Sequence, residues 1–190
     1  MAKSPLTGGW GEASGGGFFG AELRFAGLYA VIIENISQIP SYIWIKDDQI
    51  EIRSAEHLWG KDPIQAIEKI KCETGERAAR IACIGLGGEN LVKYACVIAD
   101  IRYAAGRCGL GAVMGSKKLK ALAVRGTSQV PLADRQAFLD LRKKHADQSW
   151  GGAGKLMYDY GEDGFLDDYN ASGRLPTKGF QKGSSNMQRP

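Results

Sequence analysis

Three glycine-rich segments constrain the fold of this 190-residue chain more than any other feature. They occupy residues 4–20, 85–90 and 102–118, and apolar runs separate them. Glycine lets the backbone adopt positive φ angles and leaves no Cβ between the chain and a neighbouring group. Consecutive free amides in such a segment can form an anion-binding concavity. The pattern therefore indicates either a phosphate or pyrophosphate site or tight turns required by packing, and it leaves both open.

Two of these places combine a short loop with a following helix, which is an arrangement that anion sites use. Residues 14–17 (SGGG) precede a helix predicted at 21–26, and residues 104–107 (AAGR) precede the run at 109–117. The guanidinium of Arg107 can grip a phosphate through two hydrogen bonds. Neither GxGxxG after a strand nor GxxxxGK followed by Ser or Thr occurs in the sequence. The two loops, rather than a nucleotide-binding motif, are therefore the candidate site.

The apolar pattern predicts mostly β structure between residues 29 and 124. Strands are predicted at 29–34, 42–46, 49–53, 80–84, 91–98 and 121–124. The second and third are predicted to form a hairpin around Asp47-Asp48. The first, YAVIIE, is predicted to be buried because five of its six residues are apolar.

Helices are predicted from start and stop signals. The clearest covers residues 63–74, with Asp62 as its N-cap, Pro63 at its first position and Gly75 after its end. Other helices are predicted at 21–26, 132–147 and 155–160. A boundary at 126–131 separates the β-rich part of the chain from the helical part.

Charge and hydropathy argue against two classes of partner. Lys and Arg number 25 and Asp and Glu 21, so the net charge of +4 is too small and dispersed for a nucleic-acid partner. Lys117, Lys118 and Lys120 form the densest basic cluster, which we interpret as a solvated helix end. No apolar run approaches the ~20 residues of a membrane-spanning helix and no signal peptide is visible, so a cytoplasmic protein is expected.

Cysteine and histidine patterns give no metal site or catalytic triad. The four cysteines are Cys72, Cys83, Cys96 and Cys108. They lie 11, 13 and 12 positions apart, whereas zinc and iron–sulfur sites place at least two ligands close together in sequence. We therefore predict that all four are unliganded and act as small apolar residues. The two histidines, His57 and His145, have no triad arrangement around them.

Three longer strings resemble one family. They are KSPLTGGW followed by SGGGFFGAELRFAG, then IGLGGENLVKYA, then RYAAGRCGLGAVMGSKKLKALAVRG, and they extend from Lys3 to about Arg125. Together they resemble the first domain of the tungsten-containing aldehyde:ferredoxin oxidoreductases. A weaker similarity continues through NASGRLPTKGFQKG, residues 170–183, which resembles the opening of that family's second, helical domain.

The resemblance implies an α+β fold in two parts. Residues 1–130 are implied to be a truncated, two-sheet, β-rich N-terminal domain of the aldehyde ferredoxin oxidoreductase type. That domain forms the base for a tungsten (or molybdenum) bis-pterin cofactor of the molybdopterin type. Residues 131–190 are implied to be the first helices of an α-helical second domain.

The resemblance also implies which residues hold the cofactor. Two loops reach the pterin phosphates, and the backbone carbonyls of Ser14 and Ala104 hold a Mg²⁺ ion that bridges them. The implied cofactor-binding positions are Ser14, Gly15, Gly16, Gly17, Ala104, Ala105, Gly106 and Arg107. Ser14 stands where the family has Asn, which a backbone carbonyl ligand tolerates. Tyr103 stands where the family has Arg, which leaves one phosphate contact open, with Arg102 or Arg107 as its substitute.

The implied activity is oxidation of aldehydes to carboxylic acids with electron transfer toward ferredoxin. No catalytic side chain is implied within this chain, and the Cys ligands of the family's 4Fe–4S cluster are expected after Gly183, beyond its last residue. We therefore expect a segment of such an enzyme, inactive alone, that aggregates or is completed by the missing remainder or a partner chain. The alternatives are part of a related tungsten acyl-CoA reductase, and a non-catalytic cofactor-holding scaffold.

Overall fold

The computed structural model describes residues 1–185. These residues divide into two compact units, a first that spans Met1–Val130 and a second that begins at Pro131. The strands of the first unit are β1 (Ala2–Lys3), β2 (Trp10–Gly11), β3 (Ser41–Lys46), β4 (Gln49–Ser54), β5 (Arg80–Cys83), β6 (Val97–Ala99), β7 (Tyr103–Ala105) and β8 (Leu119–Arg125). Its helices are α1 (Phe19–Phe25), α2 (Pro63–Thr74), α3 (Leu86–Glu89) and α4 (Leu110–Ser116).

A six-stranded mixed sheet forms the centre of the first unit, in the order β4-β3-β8-β5-β6-β7. Strands β3 and β8 run parallel, and every other neighbouring pair is antiparallel. Strands β1 and β2 form a separate two-stranded antiparallel sheet. The α+β fold with two sheets that the sequence predicts is therefore confirmed.

Apolar side chains cover both faces of the six-stranded sheet, because successive residues of a strand point to opposite faces. Ile67 and Ile70 of α2 are buried against one face. The sheet residues of that cluster are Tyr42, Trp44, Ile81, Cys83, Ala121 and Ala123. On the opposite face, Ile43, Ile45 and Val124 pack with α1 and with the segment that follows it. Strand β7 is left at one edge of the sheet, where it is free to meet a loop.

Elements with strong local signals form as predicted. The Asp62 side chain accepts a hydrogen bond from the Gln65 amide at 2.9 Å and so caps α2. Gly75 ends the helix in the left-handed conformation, at φ 69°. The β3–β4 hairpin pairs Lys46 with Gln49 across a two-residue turn, as predicted. The strands predicted at 80–84 and 121–124 and the helix at 21–26 also form, with bounds shifted by one to two residues.

The buried strand predicted at residues 29–34 is wrong. The segment is irregular and pairs with no strand of the described residues. Val31 and Ile33 pack against the cluster around Ile43, whereas Tyr29 and Ile32 are each 86% exposed. The apolar run therefore uses alternate side chains for packing, and its backbone joins no ladder.

The strand predicted at residues 91–98 is also mostly wrong. Only Val97–Ala99 forms a strand, and residues 91–94 are largely turn, with Leu91 at φ 57°. The residues before them form the short helix α3, which packs against α4. The chain turns there because α3 lies close against α4, so an extended continuation from residue 91 does not form.

The basic cluster is a helix end at two of its three positions and buried at the third. Lys117 follows the last residue of α4 and Lys118 is exposed, as a solvated helix end requires. Lys117 and Lys118 donate to the carbonyls of Asn35 and Gln38 at 2.9 and 2.7 Å. Lys120 is 0% exposed. Its ammonium group pairs with the buried carboxylate of Glu89, so a charge that the sequence places at the surface lies in the interior.

The second unit is helical through its described residues. Its helices are α5 (Arg135–Ser149), α6 (Gly152–Tyr160) and α7 (Leu166–Ala171). The predicted helix at 132–147 thus begins three residues later, where the Asp134 side chain caps the Ala137 amide at 2.9 Å. None of residues 131–185 is buried. In neither unit is any described helix both long and apolar enough to cross a membrane.

Candidate functional site

The structure brings together the two loops that the sequence singles out. The first loop, residues 14–17, passes beside the edge strand β7. A Cβ at Gly15 would lie 3.4 Å from the Ala105 nitrogen and 3.7 Å from the Ala104 carbonyl carbon. A Cβ at Gly15 would therefore be in ordinary van der Waals contact with β7, so the loop lies beside this strand although about 90 positions separate them in sequence.

Glycine is required in the first loop because the Tyr103 ring packs on it. Gly17 has φ +89°, and a Cβ there would lie 2.5 Å from Cδ2 of Tyr103. A Cβ at Gly16 would lie 3.0 Å from Cδ1 of the same ring. Any larger residue at Gly17 would meet both a disfavoured backbone conformation and a steric clash. The Tyr103 ring thus forms one wall of the first loop.

The amides of the first loop are available to a ligand. Among the described residues, 13–17 take part in no ladder and in no backbone–backbone hydrogen bond. Residues 14–17 are exposed. The next amide, that of Phe18, is used within the protein, because it donates to the Asp100 carboxylate at 3.3 Å. Successive amides without internal partners are the donors that an anion-binding nest uses.

The second loop, residues 104–107, carries the charge. Gly106 and Arg107 are exposed. Across residues 1–185 the Arg107 guanidinium has no hydrogen bond or ion pair with another side chain. Arg107 follows the strand that contacts the first loop by two residues, and an unpaired guanidinium, like a free amide, favours an anionic ligand because it donates to oxygen and does not accept.

Contacts behind the loops fix where each begins or ends. Gly11 of β2 is enclosed, because a Cβ there would lie 3.0 Å from the Ala2 carbonyl oxygen and 3.1 Å from the Cβ of Cys108. The Cys108 thiol donates to the Glu12 carbonyl at 3.4 Å. Cys108 therefore joins the entry of the first loop to the exit of the second, a role that its sequence position alone does not reveal.

Gly88, Gly111 and Gly115 serve packing rather than ligand contact. A Cβ at Gly115 of α4 would lie 1.9 Å from the Gly88 carbonyl oxygen of α3. A Cβ at Gly111 would lie 2.4 Å from the Cys96 carbonyl oxygen. The segment 85–90 and the helical part of 102–118 are thus glycine-rich because two helices meet backbone to backbone. Among the glycine-rich segments of residues 1–185, the first loop and residues 103–107 remain as the candidate ligand site.

Metal-ligating side chains do not converge in the described part of the chain. Residues 1–185 contain no group of three or more His, Cys, Asp or Glu side chains that could hold a metal ion. Cys83 is buried, and burial raises the pKa of its thiol to about 12. Nε2 of His57 lies 2.5 Å from the Glu73 carboxylate at the surface, and His145 lies on the exposed face of α5.

Comparisons with known proteins agree on one family. The family model described as "Aldehyde ferredoxin oxidoreductase, N-terminal domain" matches residues 1–126. A tungsten-containing aldehyde ferredoxin oxidoreductase of Thermococcus kodakarensis is 47% identical over 188 residues, which is 96% of this chain and 31% of the relative. The enzyme of the same name from Pyrococcus furiosus is 46% identical over the same share. The chain thus spans just under a third of the length of these curated relatives.

Two further matches carry other names. An aliphatic sulfonate oxidoreductase, WOR-like subunit, of Pyrococcus furiosus is 34% identical over 143 residues, covering 69% of this chain and 23% of that protein. Among solved structures, the active site complex BamBC of benzoyl coenzyme A reductase with 1,5-dienoyl-CoA superposes with a TM-score of 0.71 at 34% identity. That match covers 92% of this chain and 24% of the other.

Proposed function

The chain belongs to the aldehyde ferredoxin oxidoreductase family, and we propose that its first unit forms the base on which a tungsten bis-pterin cofactor is held. The observation that carries this proposal is the meeting of the first loop with β7. Free amides in the first loop and the unpaired guanidinium of Arg107, two residues after β7, suit the phosphate groups of such a cofactor.

The residues that would hold the cofactor act through their backbone more than through side chains. Amides of Ser14, Gly15, Gly16 and Gly17 would donate to phosphate oxygens, with Ala105, Gly106 and Arg107 on the opposite side. The carbonyl oxygens of Ser14 and Ala104 would bind a Mg²⁺ ion, which prefers oxygen ligands and commonly bridges phosphates. The residues present fit this role, because the Gly17 position has no room for a side chain and the loop remains exposed.

In the complete protein we propose oxidation of aldehydes to carboxylic acids, with electrons passed to ferredoxin. The tungsten cofactor supplies the redox chemistry when bound, and the protein binds and orients it. This chain's share is to fix the phosphate end of the cofactor. Catalytic side chains and 4Fe–4S ligands are assigned to the rest of the protein or to a partner chain, and a cytoplasmic location remains a prediction.

A second candidate is a subunit of a tungsten acyl-CoA reductase. The similarity to the benzoyl coenzyme A reductase complex, at 34% identity and a TM-score of 0.71, favours it. Both candidates use the same cofactor base, so the loops do not distinguish them. Assays of the purified assembly with an aldehyde and with an aromatic acyl-CoA would: turnover of the aldehyde alone supports the first candidate, and turnover of the thioester alone supports the second.

Substitution of Gly17 by Ala tests the cofactor-base proposal. The protein is purified, with any associated chains, from cells grown with tungstate, and its tungsten and pterin contents are measured. Gly17→Ala should lose most of both, because the new Cβ would lie 2.5 Å from the Tyr103 ring at φ +89°. Gly27→Ala is the matched control, since Gly27 has φ +86° but open space around it. Full tungsten and pterin contents in Gly17→Ala would contradict the proposal.

A further inference from the structure

The carboxylate of Asp100 links the first loop to the central sheet. Asp100 lies in the turn between β6 and β7, and its side chain is 9% exposed. Oδ2 accepts a hydrogen bond from the Phe18 amide at 3.3 Å, and Oδ1 accepts one from the Ile81 amide at 3.4 Å. One carboxylate thus joins the residue after the first loop to the middle of β5.

Arg80 contacts the side chain of Phe18, whose amide Asp100 binds. Its guanidinium lies over the Phe18 ring, 4.7 Å from the ring centroid, and NH1 lies 3.9 Å from Oδ2 of Asp100. Such a cation–π contact is favourable. The Arg80 Nε is buried without a hydrogen-bond partner, so the side chain is held by Phe18 and Asp100 at a cost in hydration. Arg80 thus contacts the ring of Phe18 and Asp100 binds its amide, so the two side chains together fix the position of this residue.

The turn that carries Asp100 contacts the first loop at two points. Asp100 binds the Phe18 amide, and Tyr103, three residues later, covers Gly16 and Gly17. Asp100 and Ile101 have φ angles of 49° and 69°, and a β-branched residue at positive φ is strained. Such a turn persists because its contacts determine it. Its geometry therefore sets where the loop amides lie.

We propose that Asp100, supported by Arg80, is a positioning residue for the first loop. This inference rests on the proposed function of that loop as a phosphate site. The carboxylate takes the Phe18 amide out of the set offered to the ligand, so the available donors end at Gly17. A carboxylate beside an anion site would repel the ligand, and the nearby Arg80 guanidinium offsets that charge.

Hydrogen exchange of the full chain, with magnesium pyrophosphate as the probe, tests this role. Mass spectrometry measures the deuterium uptake of a peptide that covers residues 13–19, with and without the probe. The measurement uses low micromolar protein and does not depend on the assembly state. Asp100→Asn cannot accept from both amides unchanged, because one carboxylate oxygen becomes an NH₂ donor. We expect exchange at the Phe18 amide, the amide of this peptide that has an acceptor in the described structure, to quicken, and half-protection of the peptide to need about tenfold more pyrophosphate. Asp48→Asn, in an exposed turn, is the matched control and should match the wild type.

The outcomes separate the positioning role from the proposed function. Faster loop exchange in Asp100→Asn, with peptides of α2 unchanged, supports the role. Unchanged loop exchange overturns it, whether or not pyrophosphate binds. If pyrophosphate gives the wild-type loop no protection while Asp100→Asn still speeds exchange of the loop peptide, the phosphate site is refuted and the positioning role stands. If Asp100→Asn does not fold, Asp100→Glu keeps the charge but moves the carboxylate, and the same exchange criteria apply.

Discussion

Lys120 carries a fully buried charge, and its contacts allow the effect of removing it to be worked out. The ammonium group pairs with the Glu89 carboxylate and donates to the Lys61 carbonyl at 2.7 Å. The other Glu89 oxygen accepts from the Gly60 amide at 2.8 Å. Glu89 is only 4% exposed, so solvent cannot replace a lost partner. The substitution Lys120→Met keeps the length and apolar stem of the side chain and removes its charge.

Lys120→Met should lower the free energy of unfolding by about 3–5 kcal/mol, because breaking a buried ion pair from one side leaves an uncompensated charge. The Lys61 carbonyl also loses its donor, which keeps the effect in the upper part of that range. Small domains unfold with about 5–15 kcal/mol, so the variant should be close to unfolding. Glu89→Leu alone should lower the free energy of unfolding by a similar amount, since it leaves the buried ammonium group without its carboxylate partner. The double variant should recover part of the loss, because it removes both buried charges but leaves the Lys61 carbonyl and the Gly60 amide without these partners.

Urea unfolding followed by tryptophan fluorescence measures these differences, given one cooperative transition for the first unit. Lys69→Met is the matched control, because Lys69 is exposed on α2 and its ammonium group pairs with no described residue, and the stability of this variant should stay within about 0.5 kcal/mol of wild type. The reasoning is refuted if Lys120→Met unfolds within about 1 kcal/mol of wild type. It is also refuted if the double variant is as unstable as the two single losses added together.

Two further predictions concern groups with shifted pKa values. Burial raises the pKa of the Cys83 thiol to about 12, so thiol reagents at pH 8 should label the exposed Cys72 and spare Cys83 in the folded chain; equal labelling of both would contradict this. The Thr127 backbone and side-chain hydrogen bonds lower the pKa of Asp47 below 3.8. Its stabilising effect should therefore be present above pH 3.8 and fade as the pH falls through the folded-state pKa. Asp47→Asn should remove that part of the acid sensitivity in thermal melts, and an unchanged pH profile would rule the effect out.

Local signals explain which parts of the fold could be predicted. Helix α2 is set by residues at its own ends, Asp62 and Gly75, so the sequence contains what determines it. The segment 29–34 has the composition of a buried strand, but a strand also needs a partner, and composition does not supply one. Lys120 is buried because Glu89 lies beside it, 31 positions away, and no local pattern indicates that pairing.

The sequence indicated the backbone loop of the candidate site but not the side chains that position it. Glycine density picks out residues 14–17, because an unoccupied Cβ position and free amides leave a compositional trace. It equally picks out Gly88 and Gly115, which serve helix packing, and only the structure separates the two uses. No sequence pattern indicates the role of Asp100, since its hydrogen bond with the Phe18 amide spans 82 positions and a single aspartate forms no motif.

The central claim is that the first loop and β7 together hold the phosphate end of a pterin cofactor. A crystal structure of the protein purified with its metal and any partner chains, with anomalous diffraction recorded at a tungsten absorption edge, tests it most directly. The account predicts tungsten in the crystal and pterin phosphate oxygens within about 3 Å of the amides of residues 14–17. Phosphates bound at any other surface, with the first loop free of contact, would contradict it.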